Sequence, residues 1–238
     1  MSVETVRTDI VRGLKSYARP GGNPKLQAYL GSPYPVLGLS TPEMREVMSA
    51  RMGVFKQMRV KELNDLGELL WTGPTLEEKS FAVWLFGRFA KSLDERSWSI
   101  MNRWIDTSEG WAMCDSLGSG PISAMLYREQ ERFREVLEWT RAKNFWRRRV
   151  SAYAMNDLVH AAELEKPFTL LERLLYDEEF WVQRAVGTWL RECWKKDKKR
   201  TETFLLKHVR GLPRVVITVA TERASKTFRN TLRQKRLQ

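Results

Sequence analysis

An all-α, HEAT-like solenoid, a superhelix of stacked antiparallel helix pairs with a basic concave face, is the fold this sequence predicts, and three observations predict it. Three tryptophans, Trp111, Trp146 and Trp181, stand 35 residues apart, and Arg149 and Arg184 follow the second and third at one offset. One period earlier, Leu76 and Lys79 hold the corresponding positions, and Trp84 matches Trp189 further along. A period in the mid-thirties with only helical patterning belongs to repeats of paired helices. Second, helix signals recur with short breaks, and no stretch has the sustained period-2 alternation that strands require. Third, no linker or low-complexity stretch divides the chain, so residues 1–238 read as a single repeat domain whose core grows by stacking.

The elements follow in order. Val3, Val6, Ile10, Val11 and Leu14 form an apolar stripe at helical spacing, and Pro20-Gly21-Gly22 ends it. Asn23-Pro24 opens a second helix. The segment GSPYPVLGLS is an irregular connection, after which Ser40 or Thr41 can cap and Pro42 can occupy the first turn. Later helices start near Thr72-Gly73-Pro74-Thr75, Gly118-Ser119-Gly120-Pro121, Lys166-Pro167 and Gly211-Leu212-Pro213. The W-x-x-R segments lie early in the second helix of each pair, the one that lines the concave surface of such repeats. Tryptophan and arginine three apart share a helical face.

Charge points to a partner. The chain has 41 Lys and Arg against 29 Asp and Glu, a net of +12. From Leu190 to Gln238 there are 15 basic and 4 acidic residues, a net of +11, so the first 189 residues are nearly neutral. This asymmetry suggests a polyanion. Cys114 and Cys193 lie far apart in helical segments, and with two histidines they make neither a disulfide framework nor a zinc site. The N-terminus is amphipathic and carries acids, unlike a secretory signal, and no apolar run approaches the roughly 18 residues of a membrane span. A reduced, cytosolic protein is expected.

Within the repeat, Asp115 stands four residues after Trp111, so carboxylate and indole share a helical face. Corresponding positions elsewhere are Ser80, Val150 and Ala185, which makes the acid particular to one repeat. Its bland alternative is a local salt bridge or backbone bond. Trp111 has core packing as its own alternative. Trp146 and Trp181 each follow a phenylalanine, so one ring of each pair is expected to face the core and the other to face out. Arg147, Arg148 and Arg149 start a helix, where cations oppose the macrodipole and need compensation. A phosphate backbone supplies it, because guanidinium makes forked contacts with its oxygens. A solvated charged face is the alternative.

The stretches NPKLQAYLGSPYPVLGLSTPEMR, EGWAMCDS, NFWRRRVSAYAM and EEFWVQRAVGTWLRE, in that order and spacing, resemble the AlkD family of alkylpurine DNA glycosylases over essentially the whole chain. The resemblance implies a concave face that holds duplex DNA containing alkylated purines and hydrolyses the glycosidic bond of N3- or N7-alkylated bases, with no cofactor and as a monomer. It places the family's aspartate on Asp115, its first sugar-facing tryptophan on Trp111, its backbone-contacting arginine on Arg149 and a tyrosine near the DNA on Tyr29. Trp146, Trp181, Arg147, Arg148, Arg184 and Arg214 are the further expected DNA contacts. One departure stands out. Where the family has a second sugar-facing tryptophan after the glycine of A-I-G-W, this chain reads Ala185-Val186-Gly187-Thr188, with its tryptophan one residue later at Trp189. One residue turns a helical side chain by about 100 degrees, so Thr188 is expected on the DNA side and Trp189 in the core. A DNA-binding HEAT protein without catalysis is the rival reading.

Overall fold

A computed structural model of the chain describes residues 2–237, and every regular element among them is helical. The chain packs as two compact units, Met1–Met125 and Leu126–Gln238. The first holds α1 (Val3–Ser16), α2 (Pro24–Leu30), α3 (Thr41–Ser49), α4 (Met52–Phe55), α5 (Val60–Trp71), α6 (Leu76–Arg88), α7 (Glu95–Thr107) and α8 (Trp111–Leu117). A short helix α9 (Ser123–Arg128) carries the chain across the boundary. The second unit holds α10 (Phe133–Trp139), α11 (Phe145–Tyr153), α12 (Asn156–His160), α13 (Glu165–Leu174), α14 (Phe180–Lys196), α15 (Lys198–His208), α16 (Arg214–Ala220) and α17 (Lys226–Leu237).

Local chemistry explains the starts. Asn23 caps α2, its side chain accepting from the Leu26 amide at 3.0 Å, with Pro24 in the first turn. Of the two candidate caps for α3, Ser40 takes the role. Its hydroxyl accepts from the Glu43 amide while the Glu43 carboxylate accepts from the Ser40 amide at 2.7 Å, closing a capping box. The Ser40 amide, with help from Arg19 at 2.7 Å, holds the Glu43 carboxyl down at about 2. Val6, Ile10 and Leu14 bury the predicted stripe of α1. Gly118–Ile122 departs from expectation. Rather than ending α8 cleanly, it continues as a π-type turn containing Pro121, with Gly120 off the helical path at φ −94° and ψ −110°.

Packing is by stacked neighbours within each unit, the mode that defines helical solenoids. In the first unit α5 lies against α1, α6 and α7, and α6 against α8. In the second, α11, α14 and α16 pack in succession, and α14 also meets α13 and α15. These successive helices carry the repeat marks: Leu76 and Trp111 are the first residues of α6 and α8, while Trp146 and Trp181 are the second residues of α11 and α14. Gly187 in α14 makes the closest stack possible. A Cβ there would meet the Val219 side chain at 2.7 Å and the Val216 carbonyl at 3.1 Å, so only glycine lets α16 approach this near. Fully buried apolar side chains fill both units, among them Phe81, Leu85 and Phe86 in the first and Val150, Val186 and Leu190 in the second.

Candidate nucleic-acid site

In the first unit the sequence-predicted residues Tyr29, Trp111 and Asp115 come together around α8. Gly110 precedes Trp111 with φ +86°, and a Cβ on it would lie 2.4 Å from the Gly31 carbonyl, so the two backbones touch where no side chain fits. This contact sets α2 beside α8. The Trp111 indole N–H then donates to the Tyr29 carbonyl at 2.7 Å, and the Tyr29 ring meets the indole edge-on at 5.4 Å between centroids. Tyr29 is 69% exposed, so this aromatic pair faces solvent rather than core. Asp115 sits one turn after Trp111 and is half-buried. Its backbone carbonyl accepts from the Ser119 hydroxyl at 2.6 Å, across the start of the π-type turn.

The connection leading from α2 is anchored by a residue the sequence reading did not single out. Glu77 is buried, and its carboxylate accepts from the amides of Leu37 at 3.0 Å and Gly38 at 2.9 Å. These are strong, charge-assisted bonds that satisfy loop amides with few other partners. Lys79, at the repeat position of Arg149, is also buried. Its ammonium donates to the Trp71 carbonyl and lies 4.3 Å from the Tyr34 ring centroid. Burial holds the Lys79 pKa below its ordinary value.

The second unit gathers a different set. Phe145, Trp146, Trp181 and Phe180 form a continuous ladder of rings, with successive centroids 4.5, 6.1 and 5.3 Å apart. The expected split of each Phe-Trp pair into a buried and an outward ring does not occur. Phe145, Trp146 and Trp181 are all half-buried and Phe180 is 48% exposed, because the rings pack on one another across α11 and α14 rather than into the core.

Each arginine of the run has its own surroundings. Arg147 lies over the Trp139 ring at 5.3 Å. Arg148 makes a two-pronged ion pair with Asp177, at 2.6 and 3.1 Å, and donates to the Ala142 carbonyl at 2.8 Å. The compensation sought from phosphate is therefore supplied for Arg148 inside the chain. Arg149 is 3% exposed, donates to the Trp181 carbonyl and to the Tyr153 hydroxyl, and lies over the rings of both. It braces α11 against α14 under the ladder. Tyr153 was missed, although its place one turn after Arg149 is a legible spacing.

Arg184 and Arg214 are exposed, and Arg184 lies 5.8 Å from the Phe180 ring. Trp189 is core, 4% exposed and edge-on to Tyr153 at 5.5 Å, while Thr188 beside it is half-buried.

A family model described as DNA alkylation repair enzyme matches residues 10–224. The chain belongs to that family. Two solved structures share the fold of this family member. One is titled "Predicted DNA alkylation repair enzyme from Enterococcus faecalis", with a TM-score of 0.75 and 18% identity over 86% of this chain and 97% of that one. The other is an X-ray structure of AlkD2 from Streptococcus mutans, with a TM-score of 0.63 and 16% identity over 83% of this chain and 97% of that one. No curated protein matches this family member. Among its described residues no helix is long and apolar enough to cross a membrane.

Proposed function

We propose that this DNA alkylation repair protein is a monofunctional glycosylase that hydrolyses the N-glycosidic bond of cationic N3- or N7-alkylated purines in duplex DNA. The observation that carries this reading is the pinned indole of Trp111, held by the Tyr29 carbonyl at 2.7 Å, with Asp115 one helical turn away. A preorganised carboxylate beside a fixed aromatic face suits a developing cation.

An alkylated purine carries positive charge, so the bond between C1′ and N9 breaks with its electron pair passing to the base, which leaves neutral. The sugar is then electron-deficient at C1′. Asp115 offsets that charge and orients a water for attack at C1′; the water's proton passes to the carboxylate or to solvent. Trp111 adds attraction through its ring quadrupole, about 0.5–2 kcal/mol. The second unit serves the phosphate backbone. Its ladder of rings, with exposed Arg184 at one end, has the aromatic and cationic character of nucleic-acid-binding surfaces. The protein acts as a monomer in the cytosol and needs no cofactor.

The deciding experiment is release of 7-methylguanine and 3-methyladenine from methylated duplex DNA under single-turnover conditions. Base release at a rate well above the spontaneous one is the expected result. A non-catalytic DNA binder is the second reading, favoured by Thr188 standing where the resembled family has tryptophan and by the burial of Arg149 under Trp181. Tight binding with only spontaneous release would select it, and Thr188→Trp would then test whether the missing ring is the cause.

A further inference from the structure

Helix α17 (Lys226–Leu237) lies beyond the residues 10–224 that match the family model, and it carries a feature the proposed chemistry does not use. Arg229, Arg233 and Arg236 recur at helical spacing, so they form one row along α17. Together with α16 this row lines a cleft of about 290 Å³, whose floor includes Ile217 and Leu232 and whose rim includes Thr218. Arg229 and Arg233 are exposed and Arg236 is half-buried. No carboxylate among the described residues forms an ion pair with any of the three, whereas elsewhere in the unit Arg148 pairs with Asp177 and Arg191 with Glu222. Three guanidinium groups crowded along one wall repel each other, and an anion in the cleft would relieve that repulsion.

The geometry points to the DNA phosphate backbone as the occupant: we propose that the arginine row of α17 is an auxiliary clamp for one strand of a duplex. The row spans about 10 Å, seven residues at 1.5 Å each, which matches the axial rise over about three steps between consecutive phosphates of a strand, at about 3.4 Å per step. Guanidinium forks suit phosphate oxygens. An anionic membrane surface fits poorly, because the apolar ridge that would enter it is already used: Phe228 is 9% and Leu232 1% exposed, and α17 packs on α15. The inference takes duplex DNA as partner from the proposed function but requires no catalysis.

The test is an anisotropy titration of an unmodified duplex at several salt concentrations. It compares the intact protein, Arg229→Gln/Arg233→Gln/Arg236→Gln, and a charge-matched control, Arg223→Gln/Lys226→Gln/Lys235→Gln, whose sites are exposed and line no part of the cleft. Each lost phosphate contact flattens the slope of log affinity against log salt by about 0.9, so the cleft variant should lose about two to three units of slope, and about 10- to 100-fold in affinity at low salt. The control should lose less than about threefold, by field effect alone. Equal losses in the two variants, or none in either, would overturn the clamp while leaving the glycosylase reading intact. An intact protein that binds no duplex would overturn both. Should the triple variant unfold, Arg233→Gln alone should still remove about one unit of slope, and an unchanged slope there also overturns the clamp.

Discussion

The helices that begin at Trp111 and Phe145 hold corresponding places in the repeat and have diverged in opposite directions. At the third residue after the tryptophan, α8 has the buried thiol of Cys114 and α11 has the buried guanidinium of Arg149. At the fourth, α8 has half-buried Asp115 and α11 has Val150 in the core. The first unit thus holds its charge half-buried, one turn from an indole whose N–H is fixed by the Tyr29 carbonyl. The second buries its charge beneath the ring of Trp181, where Arg149 donates to that residue's backbone carbonyl. Adjacent positions of one repeat thus carry the charge in the two units, the fourth after the tryptophan in α8 and the third in α11, and under the proposed function the sign of the charge follows the task. A carboxylate stabilises a sugar cation, whereas a guanidinium can satisfy several carbonyl and ring partners in a tight space.

The comparison breaks first at Asp115. Asp115→Asn should slow single-turnover release of 7-methylguanine by about two to three decades, about 3–4 kcal/mol of barrier, while duplex affinity stays within about twofold. A rate equal to that of the unaltered protein would remove Asp115 from the chemistry. Arg149→Ala should act on stability instead: losing a buried, multiply bonded cation should cost about 2–3 kcal/mol in urea unfolding, against less than about 0.5 for Arg184→Ala at the same repeat position but exposed. Similar costs for the two arginines would contradict the bracing role.

Trp111→Phe keeps an aromatic face but loses the donor to the Tyr29 carbonyl, so about 1 kcal/mol of stability should go, together with some rate. Unfolding curves and base release on the same samples measure both.

The smallest effect concerns Lys79, the counterpart of Arg149 in the first unit. Its folded pKa lies below the ordinary 10.5, so the native state gives up this proton sooner than the unfolded chain does. Its contribution to stability is then fully present above 10.5 and is lost as pH falls through the lowered folded value. Relative to Lys79→Met, the unaltered protein should gain stability as pH rises through that window, measured by urea unfolding at a series of alkaline pH values.

Much of the fold was legible because the signals are local. Asn23-Pro24 and Ser40-x-x-Glu43 specify helix starts through bonds spanning three residues, and the 35-residue register placed Trp111, Trp146 and Trp181 within the first turn of helices where the chain puts them. The single-residue step from position 188 to Trp189 was enough to assign that tryptophan to the core, where it lies. The arginine run was not legible in the same way. Three consecutive helical residues point about 100 degrees apart, and what each meets depends on other helices: Trp139 for Arg147, Asp177 for Arg148, Trp181 and Tyr153 for Arg149. The Phe-Trp pairs failed for a related reason. Alternating burial assumes one core to point toward, and these rings pack on each other instead.

The backbone contact between Gly31 and Gly110 has a temporal side. It joins segments nearly 80 residues apart, so Tyr29 and Trp111 meet only after a large loop of chain has closed, a step whose entropy must be met before the contact returns anything. During synthesis α2 emerges early and waits, with its tyrosine uncovered, until the start of α8 has left the ribosome. The Arg149 brace closes over 32 residues and needs no such wait. Refolding followed by the fluorescence of a single tryptophan left at position 111 should therefore trail that of one left at 181.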